Sequence, residues 1–144
     1  MYQVEISNSK KTLEAIIELR YAILRKPWHK PKHTVTDDLE ESSINAFIEK
    51  DTNVIACGRI QDNGNGIGQI RYMAIDTAYQ GKGLGKLIIK KLEEEAKRIC
   101  LTTIELQARE NAVEFYKSCG YTIKEKSFCL WDIIQHYLMV KEIK

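Results

Sequence analysis

Apolar and polar residues alternate from Tyr2 to Ile6, the period of an edge strand. Leu13, Ile16, Ile17, Arg20 and Leu24 then recur at helical spacing behind Ser9, a residue type that caps helix starts. From Lys26 to Ser43 the period dissolves into Pro27-Trp28-His29-Lys30-Pro31-Lys32-His33 and Asp37-Asp38-Leu39-Glu40-Glu41, which predicts a long irregular loop. Ile44 to Glu49, Val54 to Gln61 and Ile67 to Ile75 read as three strands of an antiparallel meander, joined by Asp51-Thr52-Asn53 and by Asp62-Asn63-Gly64-Asn65-Gly66. A glycine-rich loop follows. Beyond it Leu84, Leu87, Ile88, Lys91, Leu92 and Ala96 form one apolar stripe, with Lys86, Lys90, Glu93, Glu94 and Lys97 turned to water. Thr103 to Gln107 predicts a strand, Asn111 to Cys119 a short helix, and Gly120 its left-handed cap. Strands from Tyr121 to Glu125 and from about His136 to Lys141 close the order βαβββαβαββ.

The 144 residues suit one domain, residues 1–144, with its own hydrophobic core. A net charge of +2, left over from 22 basic and 20 acidic residues, argues against nucleic acid or an anionic membrane as partner. The chain opens straight into a strand pattern, and no apolar run approaches bilayer length, so a cytoplasmic protein is expected. Cys57, Cys100, Cys119 and Cys129 form no Cys-x-x-Cys pair and are expected to be reduced and mostly buried. His29 and His33 have helical metal-ligand spacing, but Pro27 and Pro31 disfavour a helix there, and no metal site is expected.

Candidate chemistry concentrates at Tyr79-Gln80-Gly81-Lys82-Gly83-Leu84-Gly85-Lys86, where an apolar strand passes into an amphipathic helix. The first turn of a helix carries unpartnered N–H groups and the positive end of the dipole, and glycine lets a phosphate approach the backbone. A pyrophosphate could be held there. A Walker loop is excluded, because Leu87 follows Lys86 where a magnesium-binding hydroxyl is needed. The dinucleotide fingerprint fails too: Lys86 stands in place of its third glycine, and the preceding strand does not open a βαβ unit.

Read as Gln80-x-x-Gly83-x-Gly85, the loop resembles the coenzyme A loop of the GNAT family of N-acetyltransferases. Ile70-Arg71-Tyr72-Met73-Ala74-Ile75 resembles that family's preceding strand, and Ala112-Val113-Glu114-Phe115-Tyr116-Lys117-Ser118-Cys119-Gly120-Tyr121 its Ala-x-x-Phe-Tyr-x-x-x-Gly-Phe motif. The three stand in the family's order over residues 69 to 125. The resemblance implies an α/β (α+β) fold: a mixed, mostly antiparallel sheet of six to seven strands flanked by helices, with two parallel strands splayed to form the acyl-CoA cleft. It implies direct transfer of acetyl from acetyl-CoA to an amine in a ternary complex. The pyrophosphate falls to the backbone from Gln80 through Gly81, Lys82, Gly83, Leu84 and Gly85 to Lys86, and the pantetheine and carbonyl oxygen to main-chain groups of Met73, Ala74 and Ile75. Tyr116 takes the position that protonates the departing thiolate, and the loop from Lys26 becomes the lid on the acceptor side. Small members of the family are frequently homodimers, but no interface pattern stands out in this sequence.

One branch, typified by glyphosate N-acetyltransferase, has a catalytic histidine where this chain has His136, and three arginines where it has Arg25, Arg71 and Arg109. A neutral imidazole suits removal of a proton near neutral pH, and guanidinium groups grip carboxylate or phosphonate oxygens in pairs. The branch resemblance therefore implies a small anionic acceptor. The segments Lys26 to His33 and Lys126 to Asp132 depart from the branch, so glyphosate itself is not inferred. Trp28, Phe128 and Trp131 read as an apolar wall or as core caps. The competing readings are an acetyl-CoA-binding sensor or interaction subunit, transfer to a cationic amine or to a protein N-terminus or lysine, and a nucleotide-binding protein.

Overall fold

Ser9 caps the first helix as its residue type predicts, its hydroxyl accepting from Thr12 N at 3.2 Å. The computed structural model describes residues 2–143. In chain order they form β1 (Val4–Ile6), α1 (Lys10–Leu24), two single turns of 3-10 helix (Lys26–Trp28 and Lys32–Val35), β2 (Ile44–Lys50), β3 (Asn53–Asp62) and β4 (Ile67–Ile75). Then come α2 (Leu84–Arg98), β5 (Thr103–Arg109), α3 (Val113–Ser118), β6 (Thr122–Leu130) and β7 (Ile134–Glu142).

The strands make one seven-stranded sheet in the order β1-β2-β3-β4-β5-β7-β6, antiparallel everywhere except between β4 and β5. Both of its faces are covered, because alternate strand residues point to opposite sides. On one face Ile88, Leu92 and Ala96 of α2 pack with Ala46, Ile48, Ile60 and Ile70; on the other, Ile16 and Leu19 of α1 pack with Phe47, Val54 and Cys57.

Two local irregularities of β4 shape the cleft. The β4–β5 pairing stops at Ile70 and Leu106, so the strands part beyond it and leave an opening between their ends. Opposite β3, Cys57 pairs with Ala74 and Arg59 with Arg71, which leaves two β4 residues facing Gly58 alone. That bulge puts Tyr72 at φ +57, a left-handed conformation rare for an aromatic residue in a strand. A Cβ at Gly58 would lie 2.4 Å from Met73 Sδ and 2.7 Å from Ile88, so glycine is required where α2 crosses the bulge.

Several sequence expectations need correction. Leu87 is exposed, and Ile89 takes its place in the buried stripe of α2. Only Cys57 of the four cysteines is buried; Cys100 and Cys129 are exposed and Cys119 intermediate. The strand expected to end at Glu125 continues to Leu130, because β7 begins at Ile134 and pairs along that extension.

Candidate active site

The loop between β4 and α2 is folded by its own side chains. Asp76 accepts from Ala78 N at 2.9 Å, and Gln80 Nε2 donates back to Ile75 O at 3.1 Å. Gly81 and Gly83 have φ of +79 and +80, which L side chains adopt only under strain, and Gly83 is the residue at the start of α2. Gly85 is glycine for a different reason: a Cβ there would lie 2.8 Å from the Phe115 ring.

A cavity of about 400 Å³ opens beside this loop. Met73 and Ile75 of β4 line it, as do Gln80, Gly81, Gly83, Leu84, Gly85 and Lys86 of the loop and Tyr116 of α3. Ala74 and Lys82, expected to contribute main-chain groups, are not among the lining residues: the side chain of Ala74 packs into the core beneath α1, and Lys82 is exposed. With β5 diverged, the main chain of β4 past Ile70 has no β5 partner on that edge and is available to a ligand.

A second cavity, of about 290 Å³, adjoins the first and shares Met73, Ala112 and Tyr116 with it. Arg25, Arg71, Arg109 and His136 all line it, although they come from the end of α1, from β4, from β5 and from β7. The ladder explains part of this convergence: Arg109 is the register partner of His136, and Arg71 that of Arg59.

His136 is 5 % exposed, and its Nδ1 lies 3.0 Å from Ile134 O. A carbonyl can only accept, so Nδ1 carries the proton and the lone pair sits on Nε2. Burial, helped by the charges of Arg109 and Arg25, holds the imidazole pKa below its usual value against the raising effect of the Ile134 carbonyl. Phe128 stacks on the ring, with centroids 4.4 Å apart. Tyr116 is buried at the meeting point of the cavities, packed edge-on against Phe115 and Tyr121. Burial pushes its phenol pKa well above the usual range, so the hydroxyl keeps its proton. Among the described residues it makes no hydrogen bond, unlike Tyr121, whose hydroxyl donates to Glu93 at 2.9 Å.

The three arginines are held differently. A guanidinium has five N–H donors. Arg25 donates from Nε to Thr34 Oγ1 at 2.7 Å, from Nη1 to Leu24 O and from Nη2 to Thr34 O. Among the described residues Arg109 donates only from Nη2, to Leu24 O at 3.0 Å, and Arg71 only from Nη1, to Asp37 Oδ2 at 3.0 Å. Most donors of Arg71 and Arg109 are thus free to meet a ligand.

Behind them lies a charged cluster that the sequence did not announce. Arg59, fully buried, takes Asp37 in a two-point grip at 2.9 and 3.0 Å, and Arg20, also fully buried, donates to Glu40 at 2.7 Å and to Asn45 at 2.8 Å. Arg20, Arg59 and Arg71 stand 4.8, 4.9 and 4.5 Å from the centre of the Tyr72 ring. The segment from Lys26 to Ser43 is therefore anchored to the sheet through Asp37 and Glu40. In the sequence Arg20 showed only as a polar residue on an apolar helical stripe, and nothing marked Arg59 or Gln69 and Gln107, the last two of which also line the second cavity.

The model of the GNAT acetyltransferase family matches residues 13–121. The chain belongs to that family. It is therefore an acyltransferase, and the splayed cleft at the end of β4 is the feature the GNAT fold shares. It is 33 % identical over 107 residues to the uncharacterized protein YyaT of Bacillus subtilis, covering 74 % of this chain and 71 % of that protein. Among solved structures, an acyl-CoA N-acyltransferase from Pseudomonas aeruginosa superposes with a TM-score of 0.84 at 21 % identity, over 98 % and 99 % of the two chains. A Bacillus subtilis acetyltransferase in complex with CoA superposes with a TM-score of 0.78 at 16 % identity, over the whole of both chains. At those identities the structural neighbours carry the GNAT fold and not the acceptor.

Proposed function

We propose that this GNAT acetyltransferase, one domain over residues 1–144, moves acetyl from acetyl-CoA directly to the amine of a small anionic acceptor, as in the glyphosate N-acetyltransferase-like branch. The observation that carries the reading is Tyr116, whose side chain borders both the cavity beside the glycine loop and the cavity that holds the arginines and His136. A donor in one and an acceptor in the other would meet at its hydroxyl.

Acetyl-CoA supplies an activated thioester. The N–H groups from Gln80 to Lys86 hold its pyrophosphate, and the unpaired edge of β4 orients the pantetheine and polarises the carbonyl. Arg71 and Arg109 bind the acceptor anion through their free N–H pairs, assisted by Arg25. His136 Nε2 takes the proton from the acceptor ammonium, so that the nitrogen lone pair can form the new bond to carbon. As the carbon–sulfur bond breaks, the Tyr116 hydroxyl gives its proton to sulfur. No residue is acylated.

Thiol release from acetyl-CoA, measured against acidic amino acids, aminophosphonates, polyamines, aminoglycosides and a lysine peptide, tests this reading. Selective turnover of the acidic acceptors is expected, and Arg71→Lys or Arg109→Lys should raise the acceptor KM, because an ammonium cannot reproduce a paired grip. Turnover of cationic amines alone would overturn the acceptor assignment. Tight acetyl-CoA binding with no acceptor-stimulated thiol release would favour a sensor instead.

A further inference from the structure

Trp28 and Trp131 lie 103 positions apart and do not line the acceptor cavity, yet their rings meet at 6.2 Å beside two arginines that do. Each covers one of these arginines: Arg109 sits 4.7 Å from the Trp28 ring centre and Arg25 5.4 Å from that of Trp131, which Lys30 approaches at 5.0 Å. Resting on the anionic-acceptor reading, we propose that the tryptophan pair positions the acceptor-binding guanidiniums, with Trp28 the main support of Arg109.

The geometry of a guanidinium makes this arrangement useful. A carboxylate partner engages the N–H edge and consumes the donors that a ligand needs, as Asp37 does at one nitrogen of Arg71. An indole engages the flat face and leaves the edge open. Arg109 has a single side-chain hydrogen bond among the described residues, so the indole face is its principal restraint. Arg25 is already tied at three nitrogens to Leu24 and Thr34, and depends less on Trp131.

The backbone carries an independent sign of the same role. Ile133 N donates to Leu130 O across the β6–β7 turn, and its two central residues, Trp131 and Asp132, have φ of +54 and +57. Asn-Gly is the ordinary occupant of such a turn, and a bulky indole is disfavoured there. His29, directly after Trp28, has φ of +56 as the residue that caps the 3-10 turn. Trp131 is thus presented from left-handed backbone, and Trp28 is followed at once by a left-handed residue that is not glycine, a cost that persists where surrounding contacts demand it. The contacts are the two arginines and the opposing ring.

Trp28→Leu, Trp28→Phe, Trp131→Leu and wild type should be compared in full kinetics, with L-aspartate, L-glutamate and aminomethylphosphonate as acceptors and L-asparaginamide as the control that lacks an anionic group. For Trp28→Leu the KM of the acidic acceptors should rise roughly 3- to 30-fold, more than any fall in kcat. Trp131→Leu should show a smaller rise and Trp28→Phe should retain most of the affinity. The KM for acetyl-CoA and for the amide control, and the thermal midpoint, should not move. These two are the only tryptophans in the chain, so acidic acceptors should also change the intrinsic fluorescence of the wild type. Equal acceptor KM in Trp28→Leu and wild type would overturn the proposal while wild-type selectivity preserved the proposed function. So would a loss shared by acetyl-CoA and the thermal midpoint, the mark of a ring that only caps the fold. If the wild type turned over cationic amines alone, both readings would fall together.

Discussion

Two side chains with opposite demands stand a short way apart, and the protein meets each demand through its surroundings. In the proposed transfer Tyr116 keeps its proton until sulfur needs it, and burial favours that. In the same proposal His136 is without one, and burial beside Arg109 and Arg25 favours that. Tyr116→Phe should lower kcat by roughly 10² to 10⁴ with the acetyl-CoA KM nearly unchanged, measured by steady-state thiol release; full turnover would remove the acid assignment. Because the His136 pKa is lowered, the neutral base persists below pH 6.5, and the acidic limb of kcat/KM should fall at a pH lower than an ordinary histidine would give. His136→Ala should abolish that limb, and its survival would point to another base. At this scale the sequence marked the positions through a resemblance, while the tautomer, with Nδ1 committed to Ile134 O, became visible only in the folded strand.

Single elements carry the next layer of the argument, since the cleft depends on β4 leaving β5 and on α2 starting close against α3. Gly85 is the contact that allows the second of these. Gly85→Ala would press a methyl into the Phe115 ring, which neighbours Tyr116, and should cost about 1–3 kcal/mol in a urea titration while raising the acetyl-CoA KM. A silent Gly85→Ala would mean that α3 yields freely and does not set the distance between the loop and Tyr116. Helix and strand periods were legible in the sequence from Ser9 to Leu24 and from Ile44 to Ile75, because buried faces repeat with the period of the element. The bulge at Tyr72 was not legible. It arises from a mismatch of register between β3 and β4, and neither strand alone contains that information. The continuation of β6 to Leu130 escaped for a related reason: its residues are mostly exposed on both faces and show no apolar period, and pairing with β7 supplies the structure.

Over the whole molecule five of the six arginines are gathered. Arg20, Arg25, Arg59, Arg71 and Arg109 converge near the sheet centre, while Asp37 and Glu40 offset part of that charge from behind. Hydrogen bonds from Arg59 hold the Asp37 carboxyl below its usual pKa; at Glu40 burial opposes ionisation but Arg20, Asn45 and Thr36 outweigh it. A carboxyl acidified by folding adds stability that is fully present above its unfolded pKa, about 3.9 to 4.3, and is lost as pH falls through the folded value. Urea midpoints should therefore drop steeply below about pH 4. Asp37→Asn should be less stable at neutral pH and show a shallower acid slope, and an unchanged slope would mean the carboxylate gains nothing from folding. By itself the sequence determined the order of elements, the glycine loop and the kinship of the chain, because those reside in local period, turn chemistry and contiguous motifs. The tertiary structure alone decided that Arg25, Arg71, Arg109 and His136 share one cavity, that Trp28 and Trp131 pack against two of those arginines, and that Arg20 and Arg59 lie buried. The physical reason is that such contacts join residues tens of positions apart, and only strand order and register bring them within reach.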